Sequence, residues 1–180
     1  MRNSKWTVKM LATAAISMAI SFLLSYLTLF KMPLGGSVTV LSMLPLMLFS
    51  WIYGVLPGIT AGLGYGLLQF LQEPYIVHWA QVLLDYPIAF AMLGLAGTFR
   101  KKNGSWALPA GIVLAGFGRF AVHTISGLIF FTDFTDLSLW GGFVSSALYN
   151  GGYMGVETAF TAIIASLPPV QSMARRLGAL

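Results

Sequence analysis

Residues 38–71 read VTVLSMLPLMLFSWIYGVLPGITAGLGYGLLQFL, a stretch that is apolar throughout and too long for one ordinary membrane-crossing helix. It forms either one tilted helix or two short ones turning between Ser50 and Pro57, where Tyr53-Gly54 and Pro57-Gly58 supply turn chemistry. Four other runs long enough to span a bilayer surround it, at 8–30, 77–99, 106–131 and 140–167. Arg2, Lys5 and Lys9 flank the first run. Arg100, Lys101, Lys102, Asn103 and Gly104 end the second, and Pro168 and Pro169 close the last.

Charge placement decides between the two counts, because Lys and Arg favour the cytoplasmic side. With one helix in the middle there are five spans, and Arg100, Lys101 and Lys102 fall opposite the N-terminal cluster. With two there are six, and Arg2, Lys5, Lys9, Arg100, Lys101, Lys102, Arg175 and Arg176 share one side. Lys31 then lies in an outer loop, alongside Glu73, Asp133 and Asp136. The expectation is therefore an all-α membrane protein of one integral domain over residues 1–180, with both termini cytoplasmic. Its six transmembrane helices fall near 8–30, 38–52, 56–72, 77–99, 106–131 and 140–167. The first run outlasts the apolar core of a signal peptide, about 7–15 residues, and reads as a retained helix.

Composition agrees. Of 180 residues 57% are hydrophobic and 8% charged, against about 25% charged in a soluble domain, and the mean hydropathy is +0.81. Without cysteine there is neither thiol chemistry nor a cysteine metal site. The net charge of +5 is split among three membrane-flanking clusters, which fits orientation in a bilayer and not nucleic-acid binding. No phosphate loop and no His-Glu-x-x-His occurs, and two histidines on different spans make a poor metal site. Ser126 follows His123 by three residues, so the two could touch on one helix. With no nucleophile elbow or orienting acid evident, an enzyme is the weaker class.

Small residues mark packing faces. Gly54, Gly58, Gly62 and Gly66 recur every fourth residue, which lets a neighbouring backbone approach closely and reads as internal helix packing. Ala15 and Ala19 make a similar pair in the first span, and serve either internal packing or a flat surface for a partner subunit. Pro45 and Pro87 fall inside apolar spans, where each removes a backbone hydrogen bond and can bend the helix.

Ionisable residues inside a span are costly and mark function by default. Here they are Asp85, Arg119, His123 and Glu157, with neutral Asn150 beside them. At about 1.5 Å of rise per residue, Asp85 and His123 each sit roughly 12 Å below the outer surface and Asn150 roughly 15 Å. Three helices thus offer a carboxylate, an imidazole and an amide at nearly one level. Trp79, Tyr86, Phe130, Phe131, Trp140 and Tyr149 lie at or above that level. An aromatic wall with a few convergent polar groups is the usual make-up of a small-molecule site, although rings there also form interfacial belts. A carboxylate among π-faces favours a flat or cationic ligand. Arg119 and Glu157 lie deeper, at similar depth, and read as a buried structural ion pair between the fifth and sixth spans, or alternatively as a proton relay. His78, at the outer end of the fourth span, reads as a solvated loop residue.

Several segments carry a resemblance. Leu84-Asp85-Tyr86-Pro87-Ile88-Ala89-Phe90 with Gly94-Leu95-Ala96-Gly97 resembles the fourth helix of the thiamine-specific S components of energy-coupling factor (ECF) transporters. Arg119-Phe120-Ala121-Val122-His123, then Ser126-Gly127 and Ile129-Phe130-Phe131, resembles the fifth. Ser145-Ser146-Ala147-Leu148-Tyr149-Asn150-Gly151 resembles the sixth, and Gly35-Gly36-Ser37-Val38 with Met43-Leu44-Pro45 the first loop and second helix. The resemblance implies an S-component-like bundle in a bacterial cell membrane that captures thiamine from outside in a pocket closed by the first loop. Two separate ATPase subunits and a membrane coupling protein then drive uptake, and no cofactor is needed. By position, Asp85 takes the family's acidic site with Tyr86 beside it, and His123 and Asn150 match its histidine and asparagine. Phe131 and Tyr149 supply ring contacts, and Ala15 and Ala19 match the face that docks the coupling protein. Some members differ, with glutamate for Asp85, tryptophan for Phe131, tyrosine for Ser145 and a further tryptophan in the first loop near Gly36. Other readings of the same residues are an S component for another vitamin or precursor, a proton-coupled carrier using Arg119 and Glu157, and a membrane hydrolase using Ser126 and His123.

Overall fold

The structure, a computed structural model, describes residues 6–131 and 138–178. Arg2, Lys5, Asp133 and Asp136 of the charge argument lie outside the described residues. The chain runs as α1 (Val8–Ser25), β1 (Thr28–Lys31), β2 (Ser37–Thr39), α2 (Leu44–Tyr53), α3 (Val55–Gln72), α4 (Trp79–Gly97), α5 (Ala107–Phe130), α6 (Leu139–Ser166) and α7 (Pro168–Gly178). By length and composition α1, α4 and α5 can cross a bilayer, and α2 is a shorter apolar helix. Exposed apolar side chains such as Ile16 and Leu23 on α1, Phe117 on α5 and Ile163 on α6 suit a lipid surround.

The middle stretch divides into two helices at one residue. Gly54 holds φ +104°, a left-handed conformation that glycine adopts without a Cβ penalty, and its N–H donates to Ser50 O at 2.7 Å to close α2. The remaining glycines of the α3 face meet α4. A Cβ on Gly58 would lie 2.8 Å from Gly94 Cα, one on Gly62 would overlap the Phe90 carbonyl, and one on Gly66 would lie 2.8 Å from Pro87 Cα. Backbone therefore packs on backbone along this seam.

Helix α4 is not uniformly wound. An α turn at Trp79–Leu83 opens into a wide π-helical turn at Leu84–Ile88, then tightens to 3-10 geometry over Met92–Gly97. Pro87 sits in the wide turn, where its missing N–H and its ring are accommodated by the altered hydrogen-bond register.

The structure differs from the sequence expectation in two places. Residues 26–30, expected as the last part of the first span, leave the helix, and β1 pairs antiparallel with β2 in the register Thr28↔Thr39, Phe30↔Val38, Lys31↔Ser37. Pro33 and the positive φ of Gly35 make the turn, and Met32 N–H donates to Gly36 O at 2.6 Å. Pro45 does not bend a span but stands in the first turn of α2, where no N–H is required. Pro168 and Pro169 close the last span as expected, with α6 ending at Ser166, and they also open α7. Buried Gln171 ties α7 down by donating to Ala165 O at 2.7 Å and Ser105 O at 3.1 Å.

Buried Tyr65, Phe49, Leu93, Leu108 and Ile112 form the centre of the bundle. One end gathers the hairpin, the loop after α3 and the end of α5. The other gathers Gly54, Arg100, the Ser105 loop and α7.

Candidate functional site

Asp85 enters from the wide turn of α4, and His123 faces it from α5 with Nδ1 at 3.1 Å from Oδ1. Gln81, one turn earlier on α4 and buried, donates to the other carboxylate oxygen at 2.7 Å. The same Gln81 accepts from Val77 N–H at 3.1 Å and donates to Tyr75 O at 3.2 Å, so it locks the acid to the loop above. An ionised carboxylate only accepts, so Nδ1 carries the imidazole proton in this contact. Among the described residues His123 Nε2 is buried and has no hydrogen-bond partner. In neutral imidazole that nitrogen is an acceptor, ready for a ligand N–H. It also leaves Ser126 unattached to the imidazole, so the nucleophile–base contact a hydrolase needs is not made.

The other site residues expected from sequence are placed around this pair without all touching it. Asn150 is buried on α6, donating to Ser146 O at 3.0 Å and accepting from the Tyr153 hydroxyl at 3.1 Å. It faces α5 at Gly127, one turn outward of His123, and its hydrogen bonds go to Ser146 and Tyr153 instead of the Asp85–His123 pair. Tyr86 turns toward the loop after α3, its hydroxyl donating to Glu73 O at 2.8 Å and accepting from Tyr75 N–H at 2.9 Å, its ring edge-on to Phe70. Phe131 stacks on Tyr75 at 6.0 Å between ring centres. Tyr149 reaches the first loop, donating to Pro33 O and accepting from Gly36 N–H at 3.1 Å. His78 is exposed but has work in the fold, capping α4 by accepting from Ala80 N–H at 3.1 Å and stacking on Phe130. Ala15 and Ala19 lie exposed on α1, on the opposite side from its buried face of Met10, Ala14, Ser17, Ser21 and Ser25.

Arg119 and Glu157 lie below this level, with Nη1 3.5 Å from Oε2. Glu157 also accepts from Thr39 and, at 3.3 Å, from Ser42, so α6 holds the segment after the hairpin as well as α5. Arg119 lies over the Phe90 ring at 4.4 Å and contacts Met43 Sδ at 2.9 Å. These two residues border a polar chamber of about 410 Å³ beneath the hairpin, lined also by Ser25, Lys31, Gln69 and Phe90.

Sequence reasoning missed Gln81, Tyr75, Thr39 and Ser42. Gln81 had a signal, a polar residue four before Asp85 on one helix face. Tyr75, Thr39 and Ser42 sit in loops or strand ends and carry no periodic mark.

The comparisons with known proteins agree with this architecture. The family model described as thiamine transporter protein (Thia_YuaJ) matches residues 11–176. The chain is 32% identical over 182 residues to the thiamine transporter ThiT of Bacillus subtilis, covering 93% of each chain. It is 27% identical over 183 residues to the ThiT of Lacticaseibacillus paracasei, covering 91% of this chain and 88% of the relative. Among solved structures, ThiT from Listeria monocytogenes shares the fold with a TM-score of 0.70 at 22% identity, over 96% of this chain and 94% of that one. The S component of a bacterial ECF transporter shares it at 0.62 and 20% identity, over 95% and 96%. With the family model covering nearly the whole chain, this membrane protein belongs to the thiamine transporter protein family, Thia_YuaJ.

Proposed function

We propose that this protein is the thiamine-binding S component of an ECF-type uptake transporter, and that Asp85 and His123 form the heart of its ligand site. The observation that carries the reading is the contact between these two groups from separate helices, with a buried imidazole nitrogen beside it that lacks a partner. An aminopyrimidine offers an N–H to that nitrogen, while the ligand's thiazolium charge suits the carboxylate. Asn150 orients the ligand from α6, and Tyr86, Phe131 and Tyr149 wall the pocket through the loops they hold.

In this reading α1 to α6 cross a bacterial cell membrane with both termini inside. Arg100, Lys101, Lys102, Arg175 and Arg176 gather at the end away from the hairpin, which supports that orientation. The pocket then opens outward and is covered by the hairpin and first loop. Energy comes from two ATPase subunits through a membrane coupling protein, which docks on the exposed Ala15 and Ala19 face. The protein itself is a carrier and not an enzyme, needs no cofactor or metal, and has no nucleic-acid partner. Arg119 and Glu157 are structural.

Titration of the purified protein with thiamine, read by quenching of its five tryptophans, tests the proposal. Saturable quenching is expected. A flat signal together with no calorimetric heat would reject thiamine as the ligand.

A further inference from the structure

The end of the bundle away from the hairpin carries charge of one sign. Lys101, Lys102, Arg175 and Arg176 are exposed there, and the Arg100 guanidinium lies against Gly54. The described carboxylates are engaged elsewhere: Glu73 with Lys31, Asp85 with His123 and Glu157 with Arg119. Among the described residues these five cations therefore have no acidic partner. A groove of about 430 Å³ opens beside them, lined by Ser105, Ser166, Pro168, Gln171, Ser172 and Arg175. Buried Gln171 fixes its shape by tying α7 to Ala165 O and Ser105 O. Ser166 and Ser172 donate their hydroxyl protons to the carbonyls of Ala162 and Pro169, at 2.7 and 2.8 Å, which leaves their oxygens free to accept. The groove thus offers a guanidinium beside two hydroxyl acceptors. Trp106, Leu167, Met173 and Leu177, each next to or near a groove residue in sequence, expose apolar side chains. Around α7, Gln171 and Ala174 face the bundle, Arg175 and Arg176 lie on one flank, and Met173 and Leu177 on the other. A helix so divided suits the boundary between headgroups and acyl chains.

We infer that this groove seats one anionic phospholipid, its phosphate on Arg175, its headgroup hydroxyls donating to Ser166 and Ser172, and its acyl chains against the apolar flank. A guanidinium binds phosphate well, and a bilayer brings the phosphate and the apolar chains together. The inference needs this end to meet a membrane surface and is independent of thiamine.

Native mass spectrometry of the delipidated protein in detergent tests it, with phosphatidylglycerol and phosphatidylcholine of matched chains added at equal concentration. Phosphatidylglycerol should be retained at least fivefold better. Arg175→Gln should lower that retention about fivefold, about 1 kcal/mol, whereas Arg176→Gln, outside the groove, should change it little. Ser172→Trp fills the groove without altering charge and should lower retention as well. Equal retention of the two lipids would overturn the inference. So would equal losses from the two arginine variants, which would mean diffuse attraction to the leaflet and no seat. Competition by glycerophosphoglycerol, the same headgroup without chains, at the lipid's own concentration would assign the groove to soluble phosphate esters and also overturn it. Equal retention of both lipids, together with uptake by cells abolished in Arg175→Gln, would give the groove to a protein partner instead.

Discussion

Gln81 Nε2 stands 2.7 Å from Asp85 Oδ2, one turn away on α4, and with His123 on the other oxygen the carboxylate is held from both sides by donors. Both partners donate, so an amide at this position can satisfy only one of them and turns an N–H toward the other. Asp85→Asn keeps shape and removes charge. Thiamine affinity should fall at least tenfold, about 1.4 kcal/mol, in calorimetry on the purified variant. Unchanged affinity would remove Asp85 from the site.

Glu157 is 2% exposed and takes hydrogen bonds from Thr39 and Ser42 while facing Arg119. Glu157→Ala leaves a buried guanidinium without its counter-charge, which costs about 3–5 kcal/mol. The thermal midpoint in detergent should drop clearly. Arg119→Met combined with Glu157→Met should recover much of that loss, because no charge then remains uncompensated. A double variant as unstable as the single one would show that the hydroxyl contacts, and not the charges, hold this junction.

The seam between α3 and α4 separates two kinds of glycine. Gly62→Ala forces a methyl into the Phe90 carbonyl and close to Ala91 Cα, and backbone cannot step aside as a side-chain tip can. A loss of about 1–3 kcal/mol is expected. Gly155→Ala on exposed α6 meets nothing within 4 Å, so it should be neutral or gain up to about 1 kcal/mol from helix propensity. Parallel melting curves of the two variants decide it, and equal midpoints would contradict the seam.

Ala15 is exposed on α1, away from the bundle. Ala15→Trp should therefore leave thiamine binding by the isolated protein intact and stop uptake by cells. Normal uptake would move the docking face elsewhere.

Much of this was readable from the chain. The break at Gly54 follows from Tyr53-Gly54 and Pro57-Gly58, and the α3 glycine face from spacing alone. Equal depth on three helices pointed to Asp85, His123 and Asn150 together; Asp85 and His123 touch, whereas Asn150 bonds to Ser146 and Tyr153 instead. Hydropathy failed where it could not separate helix from strand. Tyr26, Leu27, Leu29 and Phe30 are as apolar as α1, yet Thr28, Val38 and Thr39 favour a pleated pair around the Pro33–Gly35 turn. Proline misled for another reason. A Pro at the head of a helix and a Pro inside one look alike in an apolar run, and Pro45 is a head. The wide turn around Asp85 has no reliable mark beyond Pro87, because π-helical winding depends on what the neighbouring backbone permits.

That wide turn has a bearing on lineage. Its five residues, Leu84–Ile88, behave as an ordinary helix carrying one extra residue. A one-codon deletion there would rewind α4 and swing everything upstream by about 100° against the anchored Phe90 segment. Gln81 and the Trp79 turn would then face new neighbours, and the acid would lose its imidazole. Insertions and deletions in this short window, more than point changes, are therefore the events by which a descendant of this scaffold would abandon its present ligand.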